Sequence, residues 1–466
     1  MKQPNLIYIF ADQWRRHAIS SYNQDPVITP NFDEFIRESA HTKHAISCCP
    51  LCSPHRSSLL TGRYPLETGV WTNCKVGLDV ELDTSIKSIA DYLNDAGYKT
   101  GYIGKWHLDL PELNKSPVPL SGAQGWDAFT PPGRGRMGFE YWYSYGAMDN
   151  HLSPHYWEDS HEKIHINQWS PQHETDKAID FIHRQKSPFA LFVSWNPPHN
   201  PYDVVPDKYR SLYDKDKIKL RDNVLYNSIG HHTDPKEATS QDELLTMTRD
   251  YYAAVTGIDE QFGRILSTLE VLDIDENTIV VVSSDHGDMM GSHGLIGKHV
   301  WYEEAINIPW MIRWPCKINP GEFSGVINSV DQMPTLLSLM DVPFDPVSGM
   351  DCSDNLLELS PSRHSAFIHA YPGRAAVVKS FKEKGLNNLS YGWRGVRNQR
   401  YTLVADRGYK PVEVKTEYFY YDLISDPLQV SPMKYQKNES EILDEMYSEL
   451  MSYLESTNDP FVVHMS

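Results

Sequence analysis

The run Cys52-Ser53-Pro54-His55-Arg56 places a thiol, the side chain best suited to become a nucleophile, just ahead of a proline and an arginine. A lone cysteine usually packs as a small buried hydrophobe. This one shares five positions with Cys48 and Cys49, the densest cluster among the six cysteines. Other reactive side chains have a different feature in common, because each follows a short apolar run. Asp12-Gln13 comes after Leu6 to Phe10, and Lys105 and His107 come after Thr100 to Ile103. His199 comes after Phe189 to Ser194, and Asp285-His286 after Thr278 to Val282. Any one pair reads equally well as a strand-end cap or turn. Four such ends together point to a site.

The apolar runs are short, continuous and bounded by polar residues, as fully buried parallel strands are. Helical spacing lies between them. Phe32, Phe35 and Ile36 follow the start signal Thr29-Pro30, and Ile86, Ile89, Ala90 and Leu93 stop at Gly97. Tyr252, Val255, Ile258, Phe262, Ile265 and Leu269 mark a long amphipathic helix. This alternation predicts an α/β layered fold, in which ligands gather outside the carboxyl ends of the strands. Residues 211–245 are charged and without period; they read as loop, with His231-His232 as solvated histidines. Beyond about residue 355 the strands become shorter and aromatic, as in Arg400 to Val404 and Tyr418 to Tyr421, and a helical pattern closes from Glu441 to Leu454. The expected division is a large domain over 1–354 and a smaller α+β unit over 355–466.

With 43 Lys and Arg against 62 Asp and Glu, the formal charge is −19. That balance disfavours nucleic-acid binding, which needs basic patches to displace counterions. An anionic substrate would require positive charge concentrated locally against the global field. No apolar stretch reaches the roughly 20 residues that span a bilayer. The chain as numbered reads as cytoplasmic, or periplasmic if a leader preceded it. The cysteines are too few and too unevenly spaced for a disulfide framework. Cys74, Cys316 and Cys352 are expected to be structural thiols, and Cys48 and Cys49 small buried residues flanking Cys52 rather than ligands or a redox pair.

The twelve residues from Cys52 to Arg63 resemble the signature of the sulfatase family, departing mainly at His55, and Gly104-Lys105-Trp106-His107-Leu108 is similar to its second signature. Ser329 to Leu337 and Tyr421 to Pro427 look like later landmarks. The resemblance implies an alkaline-phosphatase-like fold: a large central mixed sheet sandwiched by helices, plus a small C-terminal antiparallel sheet with a helix. It also implies that Cys52 is converted to formylglycine (3-oxoalanine) by a formylglycine-generating enzyme or an anaerobic sulfatase-maturing enzyme, which reads Cys52, Pro54 and Arg56. Hydrated, the aldehyde is a geminal diol that can attack sulfur and later release sulfate.

By the same resemblance Asp12, Gln13, Cys52, Asp285 and His286 hold calcium. Gln13 and His286 stand where Asp and Asn are commoner, and the imidazole makes manganese or zinc acceptable too. Arg56 braces the nucleophile and metal, Lys105 holds the diol and sulfate, and His107 is the base for elimination. His199 and Lys298 bind sulfate, with His199 the better donor to the leaving oxygen. The expected substrate is a sulfate ester of a small molecule or oligosaccharide. Arg136, His151, His155 and Trp157, in an aromatic and histidine-rich stretch, are candidates for a sugar-facing wall. A phosphonate monoester or phosphodiester hydrolase with the same nucleophile is the rival enzyme. A catalytically silent relative that never converts Cys52 is the rival of another class.

Overall fold

The computed structural model describes residues 3–225, 240–361 and 365–462. His231-His232 lie outside these. Eight strands form the central sheet: β1 (Asn5–Ala11), β2 (Ala40–His41), β3 (Lys99–Lys105), β4 (Tyr141–Tyr145), β5 (Phe189–Trp195), β6 (Thr278–Ser284), β7 (Trp310–Arg313) and β8 (Gly321–Glu322). Their spatial order is β8-β2-β7-β6-β1-β5-β3-β4. Strands β6, β1, β5, β3 and β4 run parallel, while β7 is antiparallel to both β6 and β2. The sheet is mixed, as expected.

Strand alternation divides the core into two layers. Leu6, Tyr8 and Phe10 of β1 pack with α2 (Cys52–Thr61), α3 (Ile89–Asp95) and α6 (Gln332–Leu339) through Leu59, Leu93 and Leu336. Ile7, Ile9 and Ala11 face the other way. They join Phe35 of α1 (Pro30–Arg37), Phe181 of α4 (Ser170–Arg184) and Phe262 of α5 (Gln241–Val271). Because both faces of β1 are covered, its sequence is an unbroken apolar run and not an alternating one.

Two boundaries differ from expectation. Ile86 precedes α3, whose first turn is capped by the Ser88 hydroxyl. Helix α5 starts at Gln241, inside the stretch read as loop, because Ser240 and Glu243 form a capping box ahead of the first periodic apolar residue. A second sheet, antiparallel, contains β9 (Ser365–Ala370), β10 (Trp393–Asn398), β11 (Tyr401–Asp406), β12 (Glu417–Asp422) and β13 (Met433–Lys434). One face carries α7 (Glu441–Ser456) through Leu443, Met446, Leu450 and Leu454. The other packs Ala366, Ile368 and Trp393 onto Trp301, Ile306 and Val326 of the first unit. Among the described residues no helix is long and apolar enough to cross a membrane.

Candidate active site

Strands β6, β1, β5 and β3 are neighbours and end nearly flush. Ala11 is in register with Ser284 and Trp195, and Gly104 with Ser194. The residues at or just past these ends therefore lie side by side: Asp285-His286, Asp12-Gln13, Asn196 and, as the last residue of β3, Lys105. Cys52 arrives from the helical layer as the first residue of α2. A helix N-terminus carries free N–H groups and a positive dipole end, favourable to an anion. Gln13 and His107 both adopt left-handed backbone, at φ 69° and 56°. Non-glycine residues do so at a cost, and such strain concentrates at functional sites.

The Cys52 sulfur lies 3.1 Å from Lys298 Nζ, 3.4 Å from His286 Nε2 and 3.5 Å from Asp12 Oδ1. Burial and the Asp12 charge push its pKa up, but Lys298, Lys105 and His286 outweigh them and hold the thiol well below its usual range. Arg56 Nη2 spans Asp12 and Asp285 at 3.1 Å each, and Nη1 donates to the Lys105 carbonyl at 2.7 Å and to Ser194 Oγ at 2.6 Å. Lys105 Nζ is 2.7 Å from Asp12 and 3.0 Å from Asn196 Oδ1. Lys298 donates to Gln13 Oε1 at 2.7 Å.

Donor atoms of Asp12, Cys52, Asp285 and His286 lie within 4.8 Å of one another, all buried. Burial and the adjacent Asp12 charge push Asp285 up to about 6. Burial disfavours the Asp12 charge too, but Lys105, Lys298, His199 and Arg56 outweigh it and hold that carboxylate well below its usual range. Two buried carboxylates side by side, with an imidazole and an amide beside them, fit a divalent cation.

The cluster opens into a cleft of about 410 Å³ whose lining includes Lys105, His107, Trp126, Asp149, His155 and His199. His107 Nε2 is 3.1 Å from the Cys74 carbonyl, so that nitrogen carries the proton. Nδ1 is buried without a hydrogen-bond partner among the described residues, and burial lowers the ring's pKa, keeping it neutral. His199 Nδ1 donates to the Asn200 carbonyl at 2.7 Å and lies 3.5 Å from Asp149.

The sulfatase family model matches residues 4–342, and the model described as N-sulphoglucosamine sulphohydrolase, C-terminal, matches 291–456. The chain belongs to the sulfatase family. It is 34% identical to an endo-4-O-sulfatase of Bacteroides thetaiotaomicron, over 99% of this chain and 93% of that one. It is 31% identical to an ulvan-active sulfatase of Formosa agariphila, over 98% and 82%. The solved structure of a 4S-sulfatase from the B. thetaiotaomicron work on glycosaminoglycan metabolism superposes with a TM-score of 0.86 at 32% identity, covering 100% and 99%. The fold is alkaline-phosphatase-like, and the protein is a sulfuric ester hydrolase.

In this sulfatase Cys52, Lys105, His107 and His199 line one cleft, and Arg56, Lys298, Asp12, Gln13, Asp285 and His286 are linked to one another and to Cys52 by the contacts above. Of the four residues expected on a sugar-facing wall, only His155 is on the lining, paired with Asp127 at 2.7 Å. Arg136 is buried, bonded to Asp159 at 2.7 Å and to the Glu158 carbonyl at 2.6 Å, with its guanidinium over Trp142. Trp157 is buried and donates to the His161 carbonyl, so both pack the insertion and face no cleft. His151 sits behind the lining, 3.0 Å from the His199 carbonyl, which it helps to position. Cys48, Cys49, Cys74 and Cys352 are buried free thiols; Cys316 is free too but exposed, contrary to expectation.

Asp288 was not singled out by sequence. It accepts from Gly297 N at 3.0 Å and from the Gln13 amide, tying the Lys298 loop to β1. Its signal was available, a second acidic residue in Asp285-His286-Gly287-Asp288. Trp126 offered none, since it lies in a loop without period.

Proposed function

We propose that this sulfatase removes sulfate from a sulfated carbohydrate, with a formylglycine matured from Cys52 as nucleophile. The carrying observation is that Lys298, His286 and Asp12 converge on the Cys52 sulfur at 3.1–3.5 Å beside an open cleft. The carbohydrate assignment is supported by the endo-4-O- and ulvan-active relatives and by a tryptophan exposed on the cleft wall.

The hydrated aldehyde supplies two hydroxyls on one carbon, one to attack sulfur and one to lose its proton when sulfate leaves. Asp12, Gln13, Asp285 and His286 would hold the cation, calcium by the weight of oxygen donors, and its charge would favour the ionised hydroxyl. Arg56 fixes both carboxylates and the Lys105 backbone, so the nucleophile's surroundings are set before substrate arrives. Lys105 and Lys298 flank the nucleophile and face charge that grows on the sulfuryl oxygens. His199, oriented by Asp149 and Asn200, hands a proton to the departing alcohol oxygen. His107 accepts one at Nδ1, the nitrogen its Cys74 hydrogen bond leaves unprotonated.

Mass spectrometry of the Cys52 peptide from the native host, with turnover of sulfated saccharides, aryl sulfates and aryl phosphonates, tests this. Conversion of Cys52 and sulfate turnover abolished in Cys52→Ala are expected. Unmodified cysteine with activity unchanged in Cys52→Ala would sink the mechanism. Phosphonate turnover ahead by orders of magnitude would sink the substrate class.

A further inference from the structure

A second, larger cavity of about 880 Å³ lies where the loop after β1 meets the β10–β11 turn, and it shares no lining residue with the Cys52 cleft. Five lysines and arginines line it. Four are engaged by carboxylates: Lys43 by Glu322 at 2.7 Å, Lys219 by Asp222 at 3.6 Å, Arg221 by Glu304 at 3.2 Å and Arg397 by Glu303 at 2.7 Å. The fifth is Arg16. It is only 7% exposed, rests its guanidinium 4.1 Å above the Tyr22 ring, and pairs with no carboxylate among the described residues.

The remaining acid of the lining, Asp25, is held by Arg15 at 2.7 Å, so no lining carboxylate is left for Arg16. Its Nε is buried without a hydrogen-bond partner among the described residues. The adjacent His17, 5% exposed, has Nδ1 in the same condition. A buried guanidinium is costly unless paired, and unsatisfied buried donors call for an acceptor. Its planar fork suits a sulfate or carboxylate group. Ser20, Asn23, Gln24 and Gln399 line the same space and could bond sugar hydroxyls. The volume suits a saccharide unit rather than a lone ion.

We propose that this cavity is a second, non-catalytic site that binds a sulfate group borne by a saccharide, with Arg16 as its charged donor and His17 beside it. An enzyme acting along a polyanionic chain would gain a second hold on its substrate there. The saccharide half of the inference rests on the sulfated-carbohydrate reading; the anion half does not.

Isothermal titration of inorganic sulfate, a sulfated disaccharide and its unsulfated counterpart into the full chain carrying Cys52→Ala tests this. The sulfated disaccharide is expected to show two classes of binding. Adding Arg16→Met should weaken one class at least tenfold, and Lys105→Ala the other. With Cys52 intact, Arg16→Met should leave turnover of a small aryl sulfate within twofold.

Arg16→Met removes an unpaired buried charge, so its melting temperature in anion-free buffer should not fall, as it would if Arg16 were merely structural. Arg16→Lys, which keeps the charge without the fork, should bind with intermediate affinity. A single class indifferent to Arg16→Met overturns the proposal. So does an effect confined to inorganic sulfate, which would make this an ion site, or equal binding of the unsulfated sugar. Lys105→Ala reports on the catalytic cleft alone, so failure of that reading would show there and not at Arg16.

Discussion

Lys298 holds its ammonium nitrogen 3.1 Å from the Cys52 sulfur, and the contact depends on a loop that Asp288 pins to Gln13. Burial disfavours the charge on Lys298, but the Cys52 thiol, Asp12 and Asp285 outweigh it and raise its pKa; the two carboxylates, which maturation of Cys52 leaves in place, act in the same direction. Lys298→Ala should lower kcat/KM by about 10²–10³-fold, the usual loss for one electrostatic donor to a transition-state oxyanion. Steady-state assays of the matured enzyme check this, and a loss below threefold would remove Lys298 from the clamp.

His107 should separate the two halves of the reaction. Its Nε2 is committed to the Cys74 carbonyl, leaving Nδ1 as the only basic position. His107→Ala should cut steady-state turnover by about 10²–10⁴-fold, the range for general base catalysis. It should still release up to one equivalent of alcohol in the first turnover, because the group acts at sulfate release. Stopped-flow detection of an aryl alcohol reads that burst. Without a burst, His107 would belong to the first step.

The strand ends were legible because burial on both faces forces unbroken apolar runs, and what interrupts such a run is conspicuous. Asp12, Lys105 and Asp285 stood out in this way, and Cys52 stood out through its neighbours. Loop residues gave no comparable signal. Arg136 and Trp157 have types that suit either a sugar face or packing, and only tertiary burial decides for packing. Trp126 reaches the cleft through an aperiodic loop. His55 is similar: its place in the motif is visible, but not that it takes hydrogen bonds with Ser47 at 2.9 Å and Ser329 at 3.1 Å. Ser47 in turn donates to the Asp285 carbonyl at 2.7 Å.

Removal of the proposed cation should be visible in stability as well as in activity. A ligand that binds only the folded state stabilises by about 2.7 kcal/mol at 100 times its Kd. Calcium added to chelator-treated protein should therefore raise Tm by several degrees, and Asp285→Asn should abolish that increment. Scanning calorimetry with and without calcium decides it, since a rise that persists in Asp285→Asn would place the ion elsewhere.

Trp126 is 45% exposed on the cleft wall, with the His107 ring stacked 6.2 Å away at 23°. A sugar ring entering the cleft would lie against its free surface. Trp126→Ala should raise KM for a saccharide sulfate by roughly 2–12-fold, the equivalent of one aromatic contact. A small aryl sulfate should be less affected. Equal losses on both would mean that Trp126 serves mainly to hold His107.

Glu174 gives the protein a pH dependence apart from the reaction. It is fully buried on α4, accepts from the Tyr156 hydroxyl at 2.9 Å, and leaves Oε2 without a hydrogen-bond partner among the described residues. Burial pushes its pKa up to about 8, against the smaller opposing effects of Tyr156 and Arg56. A raised carboxyl pKa means that the folded state binds the proton more tightly than the unfolded chain, where glutamate titrates near 4.3. Its contribution is therefore full below that value and is lost as pH rises through about 8. Urea unfolding from pH 5 to 9 should show wild-type stability declining over that window. Glu174→Gln, a neutral isostere, should flatten the decline and gain on the wild type toward pH 9. A decline that persists undiminished in the variant would assign the titration to another group.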